Sequence, residues 1–177
     1  MAEIVKVSSG LSERRLRRAQ SQIVGLAVGV SEYPSTTGFS RLSVCAQDAT
    51  SVREAFLDVP QLNADPTRLW SLTEKSANKP TRNNMVGHLR RLAQFATEED
   101  RIIFYYSGHG VKIDDQLYLV PTDAYASDEP DALLSIERVK EILEKSEARQ
   151  KLIVLDCCYS GPDTSAFKTV PVDISNQ

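Results

Sequence analysis

Two short stretches of this chain hold residues capable of covalent chemistry. Ser107-Gly108-His109-Gly110 sets an imidazole between two glycines, and Asp156-Cys157-Cys158-Tyr159-Ser160-Gly161 presents two adjacent thiols. A thiol becomes a useful nucleophile when its pKa falls or a base takes its proton. Imidazole titrates nearest neutrality, so it can accept that proton and later return it to a departing amine. Glycines beside the imidazole let a substrate backbone approach and let a main-chain N–H face a developing oxyanion. The N–H of Gly110, with that of the reacting cysteine, would make such a pair. Taken singly, a histidine at a strand end is more often a hydrogen-bonded structural group, and a lone thiol a small buried hydrophobe. Their combination carries the weight.

The elements that must position these motifs are legible as apolar runs alternating with amphipathic stretches. Ile23 to Val30 is apolar throughout, as expected of a strand buried on both faces, and Ser31 to Ser40 reads as a loop. A helix is predicted over about 46–57, with Ala49, Val52 and Phe56 on one face, followed by a strand at Thr67–Leu72. Thr81 is placed to cap a helix reaching about Ala96, and Ser135 another reaching about Ala148. Strands at Arg101–Tyr106 and Lys151–Leu155 then run directly into the histidine and cysteine motifs, with a short extended run at Leu117–Val120 between them. Such alternation predicts an α/β fold: a mainly parallel sheet with helices on both faces. Parallel strands bring both motifs to one sheet edge, where function concentrates in such folds. Both cysteines are expected just beyond their strand, so alternation does not choose between them.

Composition narrows the classes. The 177 residues suit one domain, and 41% hydrophobic with 25% charged residues is a globular balance. A net charge of −3 argues against a nucleic-acid partner, no apolar run is long enough to span a bilayer, and the first residues lack signal-peptide order. Three cysteines make no disulfide scaffold, so free thiols and a cytoplasmic location are expected. The organisation is read as a basic N-terminal arm over 1–21, a catalytic domain over 22–161 and a flexible tail or linker over 162–177. A zinc site built from His109, Cys157 and Cys158 is a poor fit, because adjacent cysteines rarely both reach one tetrahedral ion. Gly-His-Gly is likewise no dinucleotide fingerprint. A redox sensor using the vicinal thiols is a further alternative.

His109 and Cys158 lie 49 positions apart, close to the separation of about fifty seen in one protease fold. With Tyr105-Tyr106 before the histidine motif and Leu155 before the cysteine motif, the two stretches resemble the catalytic signatures of the caspase-like cysteine peptidases. The nearer likeness is to the metacaspase-type and bacterial branch. Gly29-Val30-Ser31-Glu32-Tyr33, Cys45-Ala46-Gln47-Asp48-Ala49 and Tyr118-Leu119-Val120-Pro121-Thr122-Asp123-Ala124 are similar to supporting segments of the same family.

The resemblance implies a caspase-like three-layer sandwich and a Cys-His dyad of Cys158 and His109 acting through a thioester. Cys157 then takes a small buried position. It also implies a pocket of Asp48, Ser107 and Asp156, with Cys45 alongside, selecting Arg or Lys before the cleaved bond. An Asp-directed peptidase using Arg41, or a catalytically silent scaffold, is the alternative. No cofactor is expected, although metacaspase relatives often need calcium and Asp123 matches one acidic position they use. The family usually continues past the cysteine strand, so the chain is expected to be the large-subunit portion. Its partners would be a protein or peptide substrate and a small-subunit segment, on the same or a second chain, that completes the fold.

Overall fold

The computed structural model describes residues 21–159 and 168–173, so the basic arm and part of the expected tail lie outside the described residues. Seven strands form one sheet: β1 (Ile23–Gly29), β2 (Ala64–Leu72), β3 (Arg101–Ile113), β4 (Gln116–Leu119), β5 (Leu134–Ser135), β6 (Gln150–Tyr159) and β7 (Lys168–Asp173). Among the described residues three α-helices accompany it: α1 (Cys45–Asp58), α2 (Arg82–Phe95) and α3 (Ile136–Glu144). The two expected caps are present. Thr81 Oγ1 accepts the Asn84 N–H at 3.2 Å, and Ser135 Oγ accepts the Arg138 N–H at 3.1 Å. Each such cap stabilises its helix by about 1 kcal/mol.

Alternation along the central strands sorts the core into two faces. Val24, Leu26 and Val28 of β1, Phe104 and Tyr106 of β3, and Ile153 and Leu155 of β6 pack with Met85, Leu89, Val139 and Leu143 of α2 and α3. On the other face, Ala27 and Tyr105 pack against Ala49 of α1. Helices therefore lie on both faces of an α/β fold. No helix among the described residues is long and apolar enough to cross a membrane.

The sheet is mixed rather than mainly parallel. The order β2-β1-β3-β6 is parallel, whereas β4, β5 and β7 join antiparallel. These marginal strands are short or interrupted, and they carry few of the apolar residues by which strands are recognised. The β3–β4 hairpin turns on Asp114 and Asp115, at φ 48° and 64°, a two-residue turn made without the usual glycine. β7 corrects the expectation of a flexible tail, since Lys168–Asp173 pairs with β6 from Cys157 to Leu152. Pro171 interrupts that run, but a strand paired along one side tolerates the missing N–H.

The two motif-bearing strands are longer than expected. β3 continues through His109 to Ile113, and β6 continues through both cysteines to Tyr159. β1 pairs with β3 only as far as Ser107, and β4 takes up the same edge at Gly110, since β6 holds the other edge throughout. Gly108 and His109 therefore sit in a two-residue break in the ladder on that edge.

Candidate active site

The extension of β6 separates the two cysteines. Cys157 is 5% exposed and packs into the α2–α3 core, while the register pairs Gly108 with Cys157 and His109 with Cys158. Paired positions on neighbouring strands lie about 4.8 Å apart. The side chain of Cys158 lies outside the described residues, as do Ser160 and Gly161.

His109 is held by the loop that follows β1 together with Tyr106 of β3 and Val120. Its backbone N–H, which has no strand partner in the ladder break, donates to the Tyr33 hydroxyl at 2.9 Å. Its carbonyl accepts from the Tyr106 hydroxyl at 2.8 Å and from the Val120 N–H at 3.1 Å. The ring stacks on Phe39, with centroids 4.9 Å apart and planes at 25°, and tilts against Tyr33 at 4.9 Å. Nε2 lies 2.9 Å from the Ser40 carbonyl. A carbonyl can only accept, so Nε2 carries the proton and the lone pair of the neutral ring falls on Nδ1. Nδ1 is buried and has no hydrogen-bond partner among the described residues. Among the described residues the ring is thus held at Nε2 and unpaired at Nδ1.

Gly108 is required by this packing. A Cβ there would meet the hydroxyls of both Tyr106 and Tyr33, the two groups that hold the next residue. The loop is itself anchored. Glu74 Oε1 accepts the N–H groups of Ser31 and Glu32 at 2.7 and 3.1 Å, and Thr122 Oγ1 donates to the Glu32 carbonyl at 2.9 Å.

Cys45, Asp48, Ser107 and Asp156 are brought together two residues before His109 on the α1 face. Gly29 makes this possible, because a side chain there would collide with the backbone of Cys45 and Ala46. Ser31 Oγ accepts the Ala46 N–H at 3.0 Å and fixes the start of α1 at the end of β1. Ser107 Oγ donates to Asp48 Oδ2 at 3.4 Å, and the Tyr105 hydroxyl donates to Asp156 Oδ2 at 3.2 Å. Burial pushes the Cys45 thiol up; a hydrogen bond with Ser107 partly opposes this, and the charges of Asp48 and Asp156 push it further. Burial likewise raises the Tyr105 hydroxyl, and Asp156 adds to the rise. The charges of Asp48 and Asp156 therefore act on groups of two elements, α1 and β3, and Cys45 stays a neutral thiol at pH 7.

Other expected residues have different employment. Arg41 pairs with Glu32 at 3.4 Å, its side chain 77% exposed. Asp123 Oδ1 accepts the Arg82 N–H at 2.8 Å at the start of α2, and no group of three or more His, Cys, Asp or Glu side chains among the described residues gathers as a metal site. Gly110 follows His109 within β3, opposite Tyr159. Ser40 and Phe39 carried no sequence signal of a role at His109, whereas Tyr106 stood within the histidine signature itself. The loop character of 31–40 was visible, but which carbonyl turns inward depends on the tertiary anchors of that loop.

The family model of the caspase domain, in the C14 peptidases, matches residues 24–176. Metacaspase-8 of Arabidopsis thaliana is 24% identical over 148 residues, covering 77% of this chain and 36% of that protein. A Geobacter sulfurreducens protein of known crystal structure superposes with a TM-score of 0.61 at 20% identity, over 79% of this chain and 52% of its own, a likeness of fold. The chain therefore spans about a third of the metacaspase and about half of the solved protein.

Proposed function

The chain belongs to the caspase-domain family of peptidases, and from that premise we propose that it is a cysteine endopeptidase cleaving after Arg or Lys, with Cys158 as nucleophile and His109 as base. The observation that carries this reading is the pairing of His109 with Cys158 across β3 and β6, with the other thiol withdrawn into the core. The Ser40 carbonyl supports it by fixing the tautomer that leaves Nδ1 free to accept a proton.

In the proposed reaction Nδ1 takes the Cys158 proton, and the sulfur adds to the carbonyl carbon of the substrate. The oxyanion is met by the N–H groups of Gly110 and Cys158. The imidazolium returns its proton to the amide nitrogen, the C–N bond breaks and the amine leaves a thioester. Water, deprotonated by the same ring, then hydrolyses that thioester. The reaction suits a reducing cytoplasm, where Cys158 stays a thiol. Because the matched relatives are longer, a further segment on the same or a second chain is the partner proposed to complete the substrate groove. Digestion of a mixed peptide library, read by mass spectrometry, tests the reading. With the completing segment supplied on the same or a second chain, new termini after Arg and Lys are expected, and an undigested library under that condition would overturn it.

Tyr33→Phe tests the base. It keeps the ring but leaves the buried His109 N–H without its partner, so kcat is expected to fall about tenfold with KM within about twofold. In a His109→Ala background the same substitution should change nothing further. Equal losses in both backgrounds would assign Tyr33 to stability alone.

A further inference from the structure

Beyond His109, on the side away from Asp48 and Asp156, lies an open cleft of about 380 Å³ lined by Phe39, Ser40, His109, Val111, Ile113 and Asp128, among others. Its position follows from β3. Residues 105, 107, 109, 111 and 113 share one face by alternation. Read along that face, the strand presents the acidic cluster around Ser107, then the base, then the apolar pair Val111 and Ile113. A peptide whose cleaved bond lies at His109, with the preceding residue held at the acidic cluster, directs its next residue toward this cleft.

We propose that the cleft receives the residue following the cleaved bond and selects a large apolar side chain over a small or acidic one; this rests on the peptidase reading above. Three observations set that chemistry. The floor is apolar and already packed: Val111 belongs to a cluster with Tyr118, Val120, Ala124, Ala132 and Leu133, and Phe39 and Ile113 lie against it. It therefore needs little ordering on binding. Phe39 also stacks on the His109 ring, so the floor is continuous with the base that protonates the departing amine. At the rim the one cation among the described residues, Lys112, is countered by Asp115 at 2.6 Å, whereas Asp128 is exposed, so a carboxylate entering here meets repulsion.

The test uses three peptides identical up to a single Arg and carrying Leu, Gly or Asp immediately after it, digested in competition and quantified by mass spectrometry. The Leu peptide should be cleaved about tenfold faster than the Gly peptide, with Asp slowest, as expected for one side chain laid on the apolar floor of a half-open cleft whose walls, Thr37, Ser40, Ser127 and Asp128, are polar. Ile113→Glu should bring the Leu-to-Gly ratio to about one, and Ile113→Thr, which keeps the β-branched shape suited to a strand, should reduce it. Asp128→Asn should raise the relative rate of the Asp peptide about threefold. Equal cleavage of all three peptides, or an unchanged ratio in both Ile113 variants, overturns the inference and leaves the peptidase reading standing. Cleavage of none by the protein carrying the completing segment overturns that reading and the inference with it.

Discussion

Replacing Cys158 with alanine should lower kcat for peptide hydrolysis by about 10⁴-fold or more, the scale on which loss of a covalent nucleophile is felt. Cys157→Ser should keep most of the activity. It places a hydroxyl among the α2–α3 core side chains and should cost about 1–3 kcal/mol of stability, readable as a lower melting temperature. The thiols separate further by alkylation. At pH 7 a small electrophile should label Cys158 in the folded protein. Cys45, 6% exposed and held as a neutral thiol, and Cys157, 5% exposed, should react only after denaturation. Labelling of Cys157 with Cys158 untouched would reverse the assignment.

A matched pair of substrates differing only before the cleaved bond should be cleaved about 30- to 150-fold faster with Arg than with Asp. The physical source is the pair of carboxylates at Asp48 and Asp156. At an effective dielectric of about 20, one charge pair at ~4 Å contributes roughly 4 kcal/mol before desolvation, and a remainder of ~2–3 kcal/mol gives that ratio. Asp156 is exposed and its charge better screened, while Asp48 is half-buried beside Ser107, so the larger share falls to Asp48. Asp48→Ala should therefore slow the Arg substrate about 30-fold and Asp156→Asn about tenfold. Arg41→Ala should change little, because Arg41 is already paired with Glu32 at the surface. Arg should exceed Lys, since a guanidinium can bond a carboxylate with two parallel N–H groups. Faster cleavage after Asp than after Arg would overturn the acidic pocket.

The parts of this molecule that announce themselves in the sequence are those with local causes. The β1 and β6 runs are apolar because both faces are covered, and Thr81 and Ser135 cap helices because a hydroxyl can reach an N–H three residues on. The gathering of Cys45, Asp48, Ser107 and Asp156 was also legible, through resemblance rather than pattern. What could not be read has distant causes. Choosing Cys158 over Cys157 from alternation needed the true end of β6, and that strand runs to Tyr159 because β3 runs alongside it to Gly110. β4 was visible as the extended run at Leu117–Val120, but β5 has too few residues to show a period, and β7 hides behind Pro171. The Ser40 carbonyl and the Tyr33 hydroxyl act on His109 from 69 and 76 positions away, through a loop whose course is set by Glu74 and Thr122.

The break in the β3 ladder divides control of the histidine between two parts of the molecule. Its place in space is fixed by β3, flanked on one side by β6 and gripped at either end of the break by β1 and β4. The attitude of its ring, and which nitrogen holds the proton, are decided by Tyr33, Phe39 and Ser40 in a connection that contributes little to the main core. Sequence change in that connection can therefore alter reactivity while the sheet keeps its stability, and change in the sheet can alter stability while the chemistry is kept. If the proposed peptidase reading holds, turnover rate and substrate range could diversify by drift in one surface segment, without first acquiring a reserve of stability against which such changes are usually limited.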